Sequence, residues 1–150
     1  IAGLELDASW KSGTGWSAFA QLGALRTRMD RFDDGPNAYL NGSRLPQAPK
    51  YTFRVGASGE VLPGLRLGAD LYRSGSYFSD VENIDAVFVP AYTTANVNAS
   101  YRWSAVTLSA YVNNLADKFY LVEKVYPDGF KPRAYAAAPR TVGLSARIDF

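Results

Sequence analysis

The 150-residue chain contains no cysteine and no histidine. Without cysteine there are no disulfides, no thiolate nucleophile and no zinc–sulfur site. Without histidine there is no Ser–His–Asp triad, no imidazole base and none of the commonest metal ligand. A paired-carboxylate enzyme survives on composition, but no spacing positions such a pair. The chain therefore reads as no enzyme, with no cofactor or resident metal expected. Charge of one sign is scarce too: 16 basic and 14 acidic residues are interleaved, so no polycation faces a nucleic acid. No apolar run reaches the roughly 18 residues of a membrane helix. The chain opens on Ile1, with no basic leader and apolar core, so either a signal has been removed or this is a piece of a longer chain.

What is there is alternation. In the stretch TVGLSARIDF, Val142, Leu144, Ala146, Ile148 and Phe150 are apolar, and the residues between them are polar or glycine. Period two means a β-strand with one oily and one wet face. The same pattern recurs at Leu4–Trp10, Trp16–Ala24, Tyr51–Val61, Leu65–Tyr72, Ala91–Trp103 and Val106–Asn113, with Phe19 and Leu25 as imperfections. That makes seven strands of roughly 8–13 residues, about the length a tilted strand needs to cross a bilayer. The links alternate between short (11–15, 62–64, 104–105) and long (about 28–50, 73–90 and 115–138). An antiparallel up-and-down meander with short turns at one end and long loops at the other has this form, as transmembrane barrels do.

Alternation alone does not separate a barrel with an apolar inside from one with an apolar outside. The aromatics do. Trp10 and Trp16 flank the first short link, Trp103 precedes the third, and Phe150 ends the chain at the same level. Four such rings would crowd a tapering interior, whereas on the outside they form an interfacial girdle. The reverse face carries Glu5, Asp7, Arg54, Glu60, Arg66, Asp70, Arg102, Arg147 and Asp149, and each charge turned to lipid near the midplane would cost about 2–4 kcal/mol. A solvated antiparallel sandwich is the bland alternative. Seven strands are an odd number, and an open sheet in a membrane leaves unpaired backbone on two edges. The simplest repair is a larger barrel with its missing strands upstream of Ile1.

Three stretches carry a resemblance. GSRLPQAPKYTF (42–53), YVNNLADKFY (111–120) and APRTVGLSARIDF (138–150) resemble, in this order, a loop-to-strand junction, the penultimate strand and the final strand of TonB-dependent outer-membrane receptors. The resemblance implies that the chain is the C-terminal segment of a 22-stranded barrel whose N-terminal plug domain and remaining strands lie elsewhere. It implies an outer-membrane, TonB-energised receptor for a scarce nutrient, foremost a ferric siderophore, with the TonB complex acting through the plug. Ile148 and Phe150 fit the family's assembly signal, although its frequent glycine five residues from the end is Ser145 here. A small outer-membrane barrel with a structural or adhesive role is the alternative.

The long loops hold Tyr39, Arg44, Tyr77, Phe78, Tyr126, Phe130, Lys131 and Arg133. Rings and cations could contact an aromatic, anionic chelate; equally, they could pack loops on one another and on lipopolysaccharide in the bilayer. The lumen residues Arg54, Arg66, Asp70, Arg102, Arg147 and Asp149 are expected to face the plug or to pair across strands. Asn113, Asn114 and Asp117 are expected to satisfy backbone groups where the strand leaves the membrane.

Overall fold

A computed structural model describes residues 1–30, 35–126 and 131–150. In chain order the strands are β1 (Ala2–Lys11), β2 (Ser17–Arg26), β3 (Tyr51–Leu62), β4 (Leu65–Ser74), β5 (Tyr77–Phe78), β6 (Phe88–Val89), β7 (Tyr92–Trp103), β8 (Val106–Asn113), β9 (Leu121–Val125), β10 (Arg133–Ala136) and β11 (Thr141–Ile148). Seven of them form one antiparallel sheet in the order β1-β2-β3-β4-β7-β8-β11. These are the seven alternating segments, so the all-β meander read from the sequence is the observed fold. The pairs β5–β6 and β9–β10 lie within the second and third long loops. Strands of two to five residues are too short to display a period, so the pattern did not reveal them.

Register keeps the faces separate. One rung runs Ala8, Ala20, Val55, Leu71 and Ala95, and another runs Ala69, Val97, Val112 and Val142. The neighbouring polar rung runs Asp7, Gln21, Arg54, Tyr72 and Thr94. Directly opposed residues in antiparallel strands point the same way, so every apolar stripe lies on one side and every charged stripe on the other. The second short link shows how the turns enforce this. Pro63 presets the first turn position and Gly64, at φ 79°, takes the left-handed second one. A bulge between Glu60 and Leu62 absorbs the extra residue before that turn.

The buried apolar side chains are not in the sheet. Among the described residues they are Leu40, Tyr77, Val87 and Val89, all in the long loops. The stripe residues Leu4, Leu6, Leu108, Val142 and Leu144 are exposed, Leu144 at 83%. A continuous apolar face that meets no second layer of protein is not a soluble core. Among the described residues no second sheet covers this face, which fits contact with hydrocarbon and not the sandwich alternative.

Candidate functional site

Three regions follow from this sheet. On the polar face, Asp70 is a hub. Arg54 Nη2 lies 3.3 Å from its Oδ1, and Asn96 Nδ2 donates to its Oδ2 at 3.0 Å. Asn96 Oδ1 in turn accepts the Asn114 N–H at 3.0 Å, tying the lumen wall to the foot of the third loop. Beside this hub, Asp7 accepts from Gln21 Nε2 at 2.7 Å. A cleft of about 600 Å³ opens over Asp7, Gln21, Arg54, Asp70 and Asn96. Arg66 faces Glu60 in register yet does not pair with it. Its Nη1 donates to the Gly15 carbonyl at 3.2 Å and its Nη2 to Ser58 Oγ at 3.0 Å, while Glu60 accepts the Gly64 N–H at 2.8 Å. Arg147 in β11 pairs with Asp149, just past the end of that strand, at 2.6 Å. Arg102, opposite Thr107, has no ionic partner among the described residues.

The second region is the loop cluster. Asn83 accepts the Arg44 N–H at 2.7 Å and returns a hydrogen bond from Nδ2 to the Arg44 carbonyl at 2.9 Å. The Arg44 guanidinium sits 4.7 Å from the centre of the Phe78 ring, which meets Phe88 edge-on at 5.4 Å. The first long loop is thereby fastened to the second. Tyr77 fastens the second to the third: it is buried, and its hydroxyl donates to the Val122 carbonyl at 2.7 Å. Burial first, then the nearby Tyr72 and Glu123, raises the Tyr77 pKa. Ser79 Oγ accepts the Lys124 N–H at 2.9 Å beside it.

Of the loop residues singled out from sequence, Arg44, Tyr77 and Phe78 thus lie inside this interlock. Tyr39, Tyr126, Lys131 and Arg133 are exposed, and Phe130 falls outside the described residues. Sequence reasoning passed over the stack at the loop end of the polar face, where Tyr92 lies 4.2 Å from Tyr120 and 6.1 Å from Tyr72. The signal was present, since Tyr72 and Tyr92 both fall on the polar parity of their strands. It also passed over Arg26 and Lys50, which with Arg44 border a cleft of about 470 Å³.

The third region is the short-link end of the apolar face. Trp10 lies in β1, Trp103 ends β7, and both are exposed, as are Trp16, Ile148 and Phe150. Trp16 folds over Gly59, where any Cβ would collide with its indole. At the other end of the sheet the motif 113–117 does what the sequence suggested at two of its three positions. Asn114 holds the Lys118 N–H and carbonyl at 2.9 Å each, and Asp117 accepts the Arg140 N–H at 2.8 Å. Asn113 stays in the ladder opposite Thr141.

Comparison with known proteins agrees with this layout. Residues 1–115 match the family described as TonB dependent receptor-like, beta-barrel. The chain is 31% identical to the pesticin receptor of Yersinia pestis over 99% of its own length and 22% of that protein's. It overlays the ferric yersiniabactin uptake receptor FyuA of Yersinia pestis at a TM-score of 0.84 and 26% identity, covering 99% of this chain and 23% of that one. The siderophore receptor PiuA of Acinetobacter baumannii gives 0.78 and 26%, over 96% and 21%. The chain thus spans about a fifth of the length of the curated relatives it matches. On its strands, its two-sided sheet and these matches, the chain belongs to the TonB-dependent receptor β-barrel family of the outer membrane.

Proposed function

We propose that these seven strands are the C-terminal part of the barrel of a receptor that imports a scarce nutrient, foremost a ferric siderophore. In this reading the earlier strands and the plug domain belong to the rest of the polypeptide, and a TonB complex supplies energy through the plug. The observation that carries the reading is the two-sided sheet, with exposed apolar stripes on one face and a charged, hydrogen-bonded wall on the other. A wall of that kind suits an enclosed polar filling rather than a catalytic pocket. Arg102 and Arg66, which have no carboxylate partner among the described residues, are available to a plug carboxylate.

The ligand class is supported by the relatives, which are named as pesticin, ferric yersiniabactin and siderophore receptors. For contacts we favour the exposed loop residues Tyr39, Tyr126, Lys131 and Arg133, with Tyr72, Tyr92 and Tyr120 at the barrel mouth, since rings and cations suit an anionic chelate. Arg44, Tyr77 and Phe78 then act by holding the loops. A small self-contained barrel gains no support, because β1 and β11 are opposite edges of the sheet and do not pair.

Growth under iron limitation tests the reading. A strain lacking the full-length receptor should lose growth on one ferric chelate from a panel and regain it with the intact gene. Unchanged uptake of every chelate in the panel would remove the siderophore assignment.

A further inference from the structure

Charge on the lipid-facing side is confined to two places. Among the strand residues that share the apolar stripes, the charged ones are Arg26 and Arg73. Both stand at the loop end: Arg26 is the last residue of β2 and Arg73 the next to last of β4. The short-link end of the same face carries tryptophan and phenylalanine and no charge. Neither arginine has a carboxylate partner among the described residues.

Arg73 is held rather than loose. Its Nε donates to the Tyr51 hydroxyl at 3.1 Å and its Nη1 to Thr93 Oγ1 at 2.9 Å, with the guanidinium 6.0 Å from the Tyr51 ring centre. Those contacts orient the planar group and leave its charge unneutralised. Against hydrocarbon such a cation would cost about 2–4 kcal/mol, falling to about 0–1 kcal/mol at the headgroup level. Its height therefore marks the polar boundary of the leaflet on the loop side. A fixed guanidinium matches phosphate oxygens bidentately.

Spacing narrows the partner. Leu22 and Phe53 share the rung of Arg73, and Arg26 lies four residues further along β2. The two arginines are then separated by about 13 Å along the strands and about 10 Å across them. One phosphate does not bridge that gap, whereas a headgroup bearing several phosphates does. We infer that Arg26 and Arg73, the latter braced by Tyr51 and Thr93, form a two-point site for the phosphates of lipopolysaccharide in the outer leaflet. The inference rests on the membrane placement of the sheet and is independent of the nutrient ligand.

The test uses full-length receptor in mild detergent, titrated with purified lipopolysaccharide, its dephosphorylated form, phosphatidylglycerol and inorganic phosphate. Arg73→Gln should weaken lipopolysaccharide binding about tenfold, the loss of a charge-assisted contact. Arg26→Gln combined with it should reduce binding to that of the dephosphorylated form. Arg28→Gln, whose parent side chain already pairs with Asp30, should bind as the wild type does. Unchanged binding by the double variant would overturn the site, as would equal competition by phosphatidylglycerol or by phosphate alone. Should the variants fail to assemble, the wild-type receptor decides: equal affinity for phosphorylated and dephosphorylated lipopolysaccharide refutes the inference.

Discussion

At the scale of single residues, neighbours of one type have different fates because parity and backbone angle differ. Asn114 is 5% exposed, sits at φ 51° and holds Lys118 at two points, whereas Asn113 remains in the ladder. Asn114→Ala removes those hydrogen bonds and leaves a left-handed backbone without its tolerant side chain, costing about 2–4 kcal/mol locally. Limited proteolysis of the intact receptor should then cut within 115–140 far faster, while Asn113→Ala leaves the rate near wild type. Tyr77 gives a pH signature. Its raised pKa means that the folded loop holds the phenolic proton more tightly than the unfolded chain, whose value is near 10.0. Loop docking should be undiminished below pH 10 and weaken as pH climbs through the higher folded value, because stability falls wherever the folded state binds more protons. Amide protection across 75–91, taken as exchange relative to the hydroxide-catalysed rate of the free peptide, checks this at rising pH: Tyr77→Phe should remove the alkaline loss of protection while starting from a lower value at neutral pH, having lost the bond to Val122.

At the scale of elements, the strand faces were legible because period two is a property of consecutive residues. Val97 and Asn98 adjoin in β7, one on a rung of valines and the other beside Gly68 on the polar side. Val97→Arg should cost about 2–4 kcal/mol of insertion free energy and lower the amount of heat-modifiable receptor in the outer membrane; Asn98→Arg should not. Equal losses would contradict the assignment of faces. Phe19, an irregularity in the pattern, has its explanation across the sheet. It lies on the polar face over Gly56, with the Arg54 guanidinium 5.7 Å from its ring, a contact between residues 35 positions apart that no local period encodes. The loops were opaque for the same reason. Asn83 binds Arg44 and Ser79 binds Lys124 through hydrogen bonds to backbone that depend on three loops meeting, so a string of Tyr, Phe and Arg read as ligand candidates included three that hold the loops together. Asn83→Ala should free residues 43–48 to exchange at least several-fold faster without altering strand protection.

At the scale of the whole molecule, the seven strands of the main sheet were readable and the consequence of their number is physical. β1 and β11 each pair on one side, so their outer edges present unsatisfied N–H and C=O groups. In hydrocarbon each such group costs several kcal/mol, more in sum than the lipid-facing stripe of a seven-stranded sheet returns while it stays open. The 150 residues alone, refolded with lipid vesicles, should therefore give protease-sensitive, aggregating material without the heat-shifted mobility of a closed barrel, and the full-length receptor should give that shift. The absence of cysteine from these 150 residues means that a thiol placed on β11 meets no competing thiol within them. Leu144→Cys on the outward face of β11, paired with single cysteines stepped along the first strand after the plug, should form a disulfide at one register, since facing pairs on neighbouring strands bring their Cβ atoms about 4.5–5.5 Å apart. A monomeric, protease-resistant barrel from these residues alone would mean that β1 and β11 meet each other, and the larger barrel would have to be given up.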